Sequence, residues 1–556
     1  MRKNNDRNCL IRMMPADRTF QAGRGISLFE ALGGAGIILR SDCGGRGLCG
    51  KCRVRVAVAP HDSAPFPGDH EFRVLGGENL KAGYRLACRA IISGDLSVEI
   101  PESSLQCPET VPKAPILLPG FIFSGEQYVN KAGRYSTAVD LGTTTIAVYL
   151  CDLYSKKIIN SVSVRNPQTI FGDDVISRIS FSAENPDNLR RLQKMAVSAV
   201  EWSITALCRL TRIDPKHVKR MVVVGNSAMI HIFAGENPSS IGVFPYAPVF
   251  VEDRKFKAES IGMKINSSAD ILTLPLVSGY LGSDIVAAAI ATELDKTDSG
   301  TMLIDIGTNG EIMLLSENGL FATSCATGPA FEGATIRHGM HAVSGAIDKV
   351  NIDRIKGGVI CSVIQKDQDS ISMPSGICGS GVVSAVAELY RAGLLSRDGR
   401  LNSNSGSSFI RYDETGLLEC ELVPAEKSET GEAITLTQKD IRAVQLAKGA
   451  LMTGIKMLSA AAGLTVPKRL LVAGAFGSFI DVNDAKTIGM FPDLPEEKIT
   501  MVGNAAGAGA VLALFDPALC GKATKLARTV KILDLAGLSE FQKVFLSSLS
   551  FPALVS

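Results

Sequence analysis

The chain has 556 residues, 46% hydrophobic and 21% charged, with 58 Lys and Arg against 56 Asp and Glu. That balance suits a soluble globular protein of several domains, and near-neutrality argues against a nucleic-acid binder, which carries a basic excess or stripe. No run approaches the roughly 18–20 apolar residues of a membrane span. The opening MRKNNDRNCLIRMMPADRTF lacks the apolar core of a signal peptide, so a cytoplasmic location with no membrane partner is expected. The 13 cysteines are odd in number and mostly isolated. One thiolate-ligated centre in a reducing compartment fits them better than a disulfide framework.

Residues 1–102 alternate short strands with glycine turns. CLIRMMP reads as a strand, RTFQAG as its hairpin partner and SLFEALGGAG as a short helix, followed by strands at KCRVRVAV and LSVEI. This order predicts a small β-grasp module. It holds the dense cysteine group: Cys43, Cys49 and Cys52 in SDCGGRGLCGKC, then Cys88 in YRLACRA. Four thiolates suit a [2Fe–2S] rhombus, and the glycines let the loop wrap it and aim N–H groups at sulfur. The five-residue first gap is similar to that of hydroxylating-system ferredoxins, whereas the plant type has four. Four cysteines can also build a structural zinc knot, but zinc ribbons carry two CxxC knuckles and only Cys49–Cys52 forms one. Cys9, Cys107, Cys151, Cys208, Cys325, Cys361, Cys378, Cys420 and Cys520 read as inert thiols, with Cys325 and Cys378 beside glycine loops.

Around residues 103–134 the sequence turns proline-rich (PESSLQCPETVPKAPILLPG) and reads as a linker that lets the first module move. Residues 135–556 contain an internal repeat. TAVDLGTTTIAVYLCDL around Asp140 matches TMLIDIGTNGEIMLLSEN around Asp305, and MVVVGNSAMIHIF at Gly225 matches RLLVAGAFGSFI at Gly474. Two copies of one α/β unit facing each other across a cleft are predicted.

An aspartate closing a buried strand before a tight glycine turn can hold Mg²⁺ or its water, while the turn offers N–H and hydroxyl groups to phosphate. An ordinary hairpin needs the same residues; two turns in corresponding places can close on one nucleotide. The plain alternative is a duplicated domain without nucleotide. There is no P-loop and no GxGxxG after a strand. His231 and His338 lack matched ligand partners in the sequence and are expected to be structural.

The doubled turn resembles the acetate and sugar kinase, heat-shock chaperone and actin superfamily. The resemblance implies that Asp140 and Asp305 manage Mg²⁺ and the attacking water, with Glu311 assisting. It makes Gly142, Thr143, Thr144, Gly307, Thr308 and Asn309 the phosphate cradle. Gly379, Ser380 and Gly381 would start the helix connecting the lobes, and Gly474, Ala475 and Gly477 would admit the nucleoside. Glu332 reads either as a neighbour of the γ-phosphate or as a plain loop glutamate.

A ferredoxin module, a linker and an actin-like ATPase in one chain resemble the reductive activators of corrinoid-dependent methyltransferase systems. The motifs DLGTTT, NPQTIFGDDVISRI, GNSAMIHIFAG, DIGTNGE and GPAFEGA carry the resemblance. It implies an α/β multidomain fold: an N-terminal β-grasp [2Fe–2S] ferredoxin-like domain plus a duplicated actin-like (RNase H-like) ATPase domain. It also implies ATP-dependent reduction of an inactive Co(II) corrinoid protein to Co(I), with a [2Fe–2S] cluster, ATP and Mg²⁺. The partners would be that corrinoid protein and an upstream low-potential electron donor, and a homodimer is compatible with this. Some members insert a middle domain after the linker; residues 107–134 leave little room for one. Two other classes stay open: a small-molecule kinase with a redox-sensing module, and an ATP-regulated non-catalytic scaffold.

Overall fold

Apolar and polar residues alternate along CLIRMM, and β1 (Cys9–Met14) accordingly buries Cys9 and Ile11 on one face. In this computed structural model the described residues are 8–15, 17–41, 43–57, 66–106, 109–110, 134–333, 335–353, 358–365, 371–403, 406–474 and 480–554. Most of the expected linker therefore lies outside them. β2 (Arg18–Ala22) returns antiparallel to β1. α1 (Leu28–Gly34) follows, capped by the Ser27 hydroxyl, which accepts from the Glu30 N–H. With β3 (Arg53–Ala57), α2 (Asp69–Lys81), β4 (Tyr84–Leu86) and β5 (Leu96–Glu99), the strands form one sheet in the order β2-β1-β5-β3-β4. The predicted β-grasp module is this sheet with α1 over its core.

A buried ion pair ties α2 to β4. The Arg85 guanidinium donates to both Glu71 oxygens at 2.9 and 2.8 Å, and the Leu86 N–H donates to Glu71 Oε1 at 2.9 Å. Removing one member of such a pair strands the other charge, typically at about 3–5 kcal/mol. Glu71→Ala should thus lower the thermal midpoint of the module by several degrees, read from bleaching of its visible circular dichroism. An unchanged midpoint would refute that role.

The next sheet begins the repeat. It contains β6 (Glu109–Thr110), β7 (Tyr135–Leu141), β8 (Thr145–Asp152) and β9 (Lys157–Arg165). After α3 (Val175–Glu184) and α4 (Pro186–Thr211) come β10 (Val218–Val224), α5 (Ser227–Ala234), β11 (Arg254–Lys257) and β12 (Asp270–Thr273). The strand order is β11-β12-β10-β7-β8-β9-β6, with β7, β8 and β9 an antiparallel meander and β10 parallel to β7. α6 (Ser283–Ala291) comes next in sequence.

β13 (Thr301–Ile306), β14 (Gly310–Ser316) and β15 (Gly319–Cys325) make a second antiparallel meander. Two three-stranded sheets follow, one of β16 (Ala346–Asp353), β17 (Gly358–Val363) and β18 (Gly376–Ile377), the other of β19 (Ile410–Tyr412), β20 (Leu418–Val423) and β21 (Ile434–Thr437). α7 (Gly379–Arg391) lies between them in sequence. After α8 (Gln438–Ala461), β22 (Arg469–Ala473) joins parallel to β13, and β23 (Ile499–Gly503) and β24 (Lys531–Ile532) complete the order β23-β22-β13-β14-β15-β24. Meander first, parallel strand second: both halves carry the same plan, as the repeat predicts.

The chain divides into two compact units. The first comprises the described residues of Met1–Pro112, Ile122–Asp284 and Ala510–Thr524; the second comprises those of Ile285–Gly509 and Lys525–Ser556. The ferredoxin-like module therefore shares a unit with the first repeat. Met195 of α4 belongs to the module's core, and Ile38 of the module belongs to the core of the first repeat. Arg191 of α4 donates to both oxygens of Glu30 on α1, at 2.6 and 2.7 Å.

In the second unit α8 buries Lys448 completely. Its Nζ donates to the Ser550 carbonyl at 2.6 Å and lies over the Phe551 ring. Burial, with a smaller push from Lys456, pulls this ammonium down to about 7 from an ordinary 10.5. Between those values the unfolded chain binds the proton and the folded one does not, so the lysine's penalty falls as pH rises from 7 and is gone by about 10.5. Lys448→Met should stabilise the fold most below pH 7, by an amount on the order of a few kcal/mol less the lost hydrogen bond, read as a raised Tm. Its advantage should shrink across pH 7–10; a pH-independent difference would contradict the account.

Candidate functional site: a cysteine loop and two aspartate turns

The cysteine loop works because four of its glycines adopt left-handed backbone, Gly44, Gly45, Gly47 and Gly50 (φ 61°, 82°, 80° and 68°), which side-chain-bearing residues resist. The turn this allows brings Cys43 and Cys49 to hydrogen-bonding distance. The strand β3 places Cys52 so that its Sγ stands 3.4 Å from that of Cys88, 36 residues away. The Leu48 N–H points at Cys43 Sγ at 3.4 Å.

The hydrogen bond from Cys49 pulls the Cys43 thiol down to about 4, helped by the N–H groups of Leu48, Cys49 and Gly47 against the opposing effect of burial. Cys88 lowers Cys52, while the hydrogen bond to Cys52, burial and the neighbouring sulfurs drive Cys88 up. Four neighbouring thiols, those of Cys43 and Cys52 buried, cannot all ionise without positive charge among them. A [2Fe–2S] cluster would supply that charge, and Cys43, Cys49, Cys52 and Cys88 would hold it. Burial raises the thiols of Cys325 and Cys420 to about 12 and those of Cys208 and Cys361 to about 11, in keeping with inert residues. Cys107 lies outside the described residues.

The first aspartate turn joins β7 to β8. Asp140 is the penultimate residue of β7, half-buried and paired in register with Ala147 and Val224. A Cβ on Gly142 would collide with the Thr145 carbonyl, so only glycine fits. Three residues that motif reading had left without a role hold the turn from behind. Asn226 donates to the Thr143 hydroxyl at 2.8 Å, Asn166 to the Gly142 carbonyl at 2.9 Å, and Arg178 to the Thr143 carbonyl at 2.6 Å. Their motifs, NPQTIFGDDVISRI and GNSAMIHIFAG, were visible in the sequence; their contacts were not.

The second turn repeats the plan in the other unit. Asp305 is penultimate in β13, opposite Glu311 on β14 and Ala473 on β22. The Gly307 N–H donates to the Asn309 carbonyl at 3.0 Å, and the Thr308 hydroxyl donates to Glu332 Oε1 at 2.9 Å. Glu332 is thus tied to the turn. Gly474 (φ 101°) comes so close that a Cβ there would strike the Ile306 carbonyl and lie 2.9 Å from Asp305 Oδ1. Ala475 and Gly477 lie outside the described residues. Gly379, Ser380 and Gly381 form the first turn of α7, where a Cβ on Gly381 would strike the Ile347 carbonyl; the visible role of this stretch is to seat α7 on β16.

His231 is held in the core by contacts at both ring nitrogens. His231 Nδ1 pairs with the Ser227 carbonyl at 2.7 Å, its Nε2 accepts from the Val249 N–H at 3.0 Å, and its ring stacks on Phe250. Burial lowers the pKa of both His231 and His338.

Comparison with known proteins agrees with this division. Residues 11–93 match the model of a 2Fe-2S iron-sulfur cluster binding domain, 135–297 that of the RACo middle region, and 299–555 that of the C-terminal domain of RACo, the ASKHA domain. The corrinoid activation enzyme RamQ of Eubacterium limosum is 34% identical over 425 residues, covering 75% of this chain and 70% of its own. The chain belongs to the family of reductive activators of corrinoid proteins. The Co(II) methylated amine-specific corrinoid protein reductase of Methanosarcina barkeri is 25% identical over 75% of this activator and 77% of its own length. The solved structure of a reductive activator for a corrinoid, iron-sulfur protein superposes with a TM-score of 0.70 at 29% identity, covering 98% of each chain. The activator binds a [2Fe–2S] cluster and uses ATP with Mg²⁺. The region expected to be the first ATPase lobe is the family's middle region. Among the described residues no helix is long and apolar enough to cross a membrane.

Proposed function

We propose that this activator reduces an inactive Co(II) corrinoid protein to Co(I), restoring it for methyl transfer, at the expense of ATP. The observation that carries the reading is the union, in one chain, of a paired-thiol loop and two aspartate turns in corresponding strands, with likeness to RamQ over three quarters of the length. When bound, the [2Fe–2S] cluster supplies a one-electron store. Cys43, Cys49, Cys52 and Cys88 hold it. An upstream low-potential donor in the cytoplasm refills it.

Asp140 and Asp305 hold Mg²⁺ and orient the attacking water. The N–H and hydroxyl groups of Thr143, Thr144, Thr308 and Asn309 receive phosphate oxygens. Glu311 and Glu332 flank the second turn as acceptors, and the bare backbone at Gly474 leaves room for the nucleoside. A nucleotide promotes an uphill electron transfer only by favouring one state of the complex over another, so its hydrolysis must change how the activator engages its partner.

The test is anaerobic. Holo-activator, a Co(II) corrinoid protein, titanium citrate and Mg-ATP are mixed while the cobalt spectrum and released phosphate are followed. Co(I) should appear only with ATP, and phosphate release should rise when the corrinoid protein is added. Phosphate passed to a small metabolite, with no Co(I) formed, would make the protein a kinase instead.

A further inference from the structure

The loop between Cys43 and Cys49 does not stand free: it is pressed against the first repeat. A Cβ on Gly44 would lie 2.6 Å from Asp173 Oδ1, and one on Gly45 would lie 2.8 Å from Ile170 Cγ2. The residues it meets belong to the stretch that follows β9, and the opposite side of that stretch grips the first aspartate turn. There the Asn166 N–H donates to the Thr144 carbonyl at 2.8 Å and its side chain to the Gly142 carbonyl at 2.9 Å. Arg178, fully buried on α3, closes the stretch on itself. Its guanidinium donates to the carbonyls of Thr143 (2.6 Å) and Gly172 (3.0 Å) and to Gln168 Oε1 (3.2 Å).

We propose that residues 165–178 couple phosphate at the Asp140 turn to the seating of the cysteine loop, with Arg178 as the positioning residue between them. The proposal rests on the reading that this turn receives phosphate. Phosphate drawn to the N–H groups of Thr143 and Thr144 reorients their peptide units, and with them the carbonyls that Arg178 and Asn166 hold. The guanidinium is a rigid planar fork. A shift at Thr143 is therefore passed to Gly172, next to the Asp173 and Ile170 contacts. The glycines on the far side leave no slack, and a close-packed interior transmits such strain rather than absorbing it.

The same linkage runs backwards. Unseating the cysteine loop must change nucleotide affinity by the factor by which nucleotide changes seating. Seating in turn sets solvent exposure and hydrogen bonding at the sulfurs, to which an iron–sulfur potential responds. This gives the nucleotide a route to the redox centre within a single compact unit.

The experiment uses full-length holo-protein. The electron paramagnetic resonance spectrum and midpoint potential of the reduced cluster are recorded with and without Mg-AMPPNP, alongside AMPPNP affinity by calorimetry. In the wild type the nucleotide should shift both cluster readouts. Ile170→Ala and Arg178→Lys should abolish the shift while still binding AMPPNP, with affinity altered by about fivefold or more. Circular dichroism checks that both variants are folded, and Ile170→Ala keeps the test sound if Arg178→Lys is not. Wild-type spectra and potential that ignore bound AMPPNP would overturn the coupling, as would variants that respond like the wild type. Asp140→Asn separates the two readings. If it leaves AMPPNP affinity unchanged, the phosphate reading of this turn fails; if it weakens binding while the wild-type cluster stays silent, only the coupling fails.

Discussion

Cys52→Ala should abolish Co(I) formation and bleach the visible spectrum of the activator while its ATP hydrolysis persists. Cys52 is almost wholly buried, at 1% exposure, with its sulfur 3.4 Å from that of Cys88. On the proposed ligation alanine removes a ligand outright, whereas serine could still offer an oxygen. Loss of a mere outer partner of a metal centre costs about 10–100-fold, and loss of one of four thiolates should cost more, taking electron delivery to the assay floor. The two aspartate turns lie in other sheets and share no strand with β3, so phosphate release without corrinoid protein should persist, altered at most through the 165–178 coupling. Cys325→Ala is the matched control: its thiol is buried and raised to about 12, and its removal should leave the cluster spectrum as it was. A Cys52→Ala chain retaining a normal cluster would remove this residue from the ligand set.

Asp305→Asn should lower ATP hydrolysis by about 10²–10³-fold, the range typical of losing a positioned carboxylate that handles a proton or a metal-bound water. The substitution preserves shape and removes charge, so the β13–β14 register, with Asp305 opposite Glu311, should survive and nucleotide should still bind. The Thr308–Glu332 hydrogen bond (2.9 Å) keeps the turn in place independently of the aspartate. Co(I) formation should fall with hydrolysis while the cluster spectrum stays normal, the mirror image of Cys52→Ala. Wild-type hydrolysis in Asp305→Asn would assign the chemistry to Asp140 alone.

Much of the architecture was legible because it is written locally. Each aspartate turn spans only a few residues between two apolar strands, and the first three cysteines lie within ten positions of one another. In such short stretches, steric limits on the backbone and the reach of a side chain leave few arrangements. The internal repeat was legible for the same reason, since two similar strings of apolar strands and glycine turns fold to the same sheet order. The nucleoside turn expected at Gly474 runs on into residues 475–479, which lie outside those described.

What the sequence by itself determined is therefore the chemical inventory: which residues can bind iron, which can face phosphate, and that the α/β unit occurs twice. Tertiary structure alone decided the company these residues keep. It brought Arg191 to Glu30 across 161 positions. It also set Asn166, Arg178 and Asn226 behind the first turn. None of these pairings has a periodicity or spacing that marks it in the chain. They arise when apolar faces of distant elements are buried against one another, and buried polar groups must then find partners wherever that packing has put them.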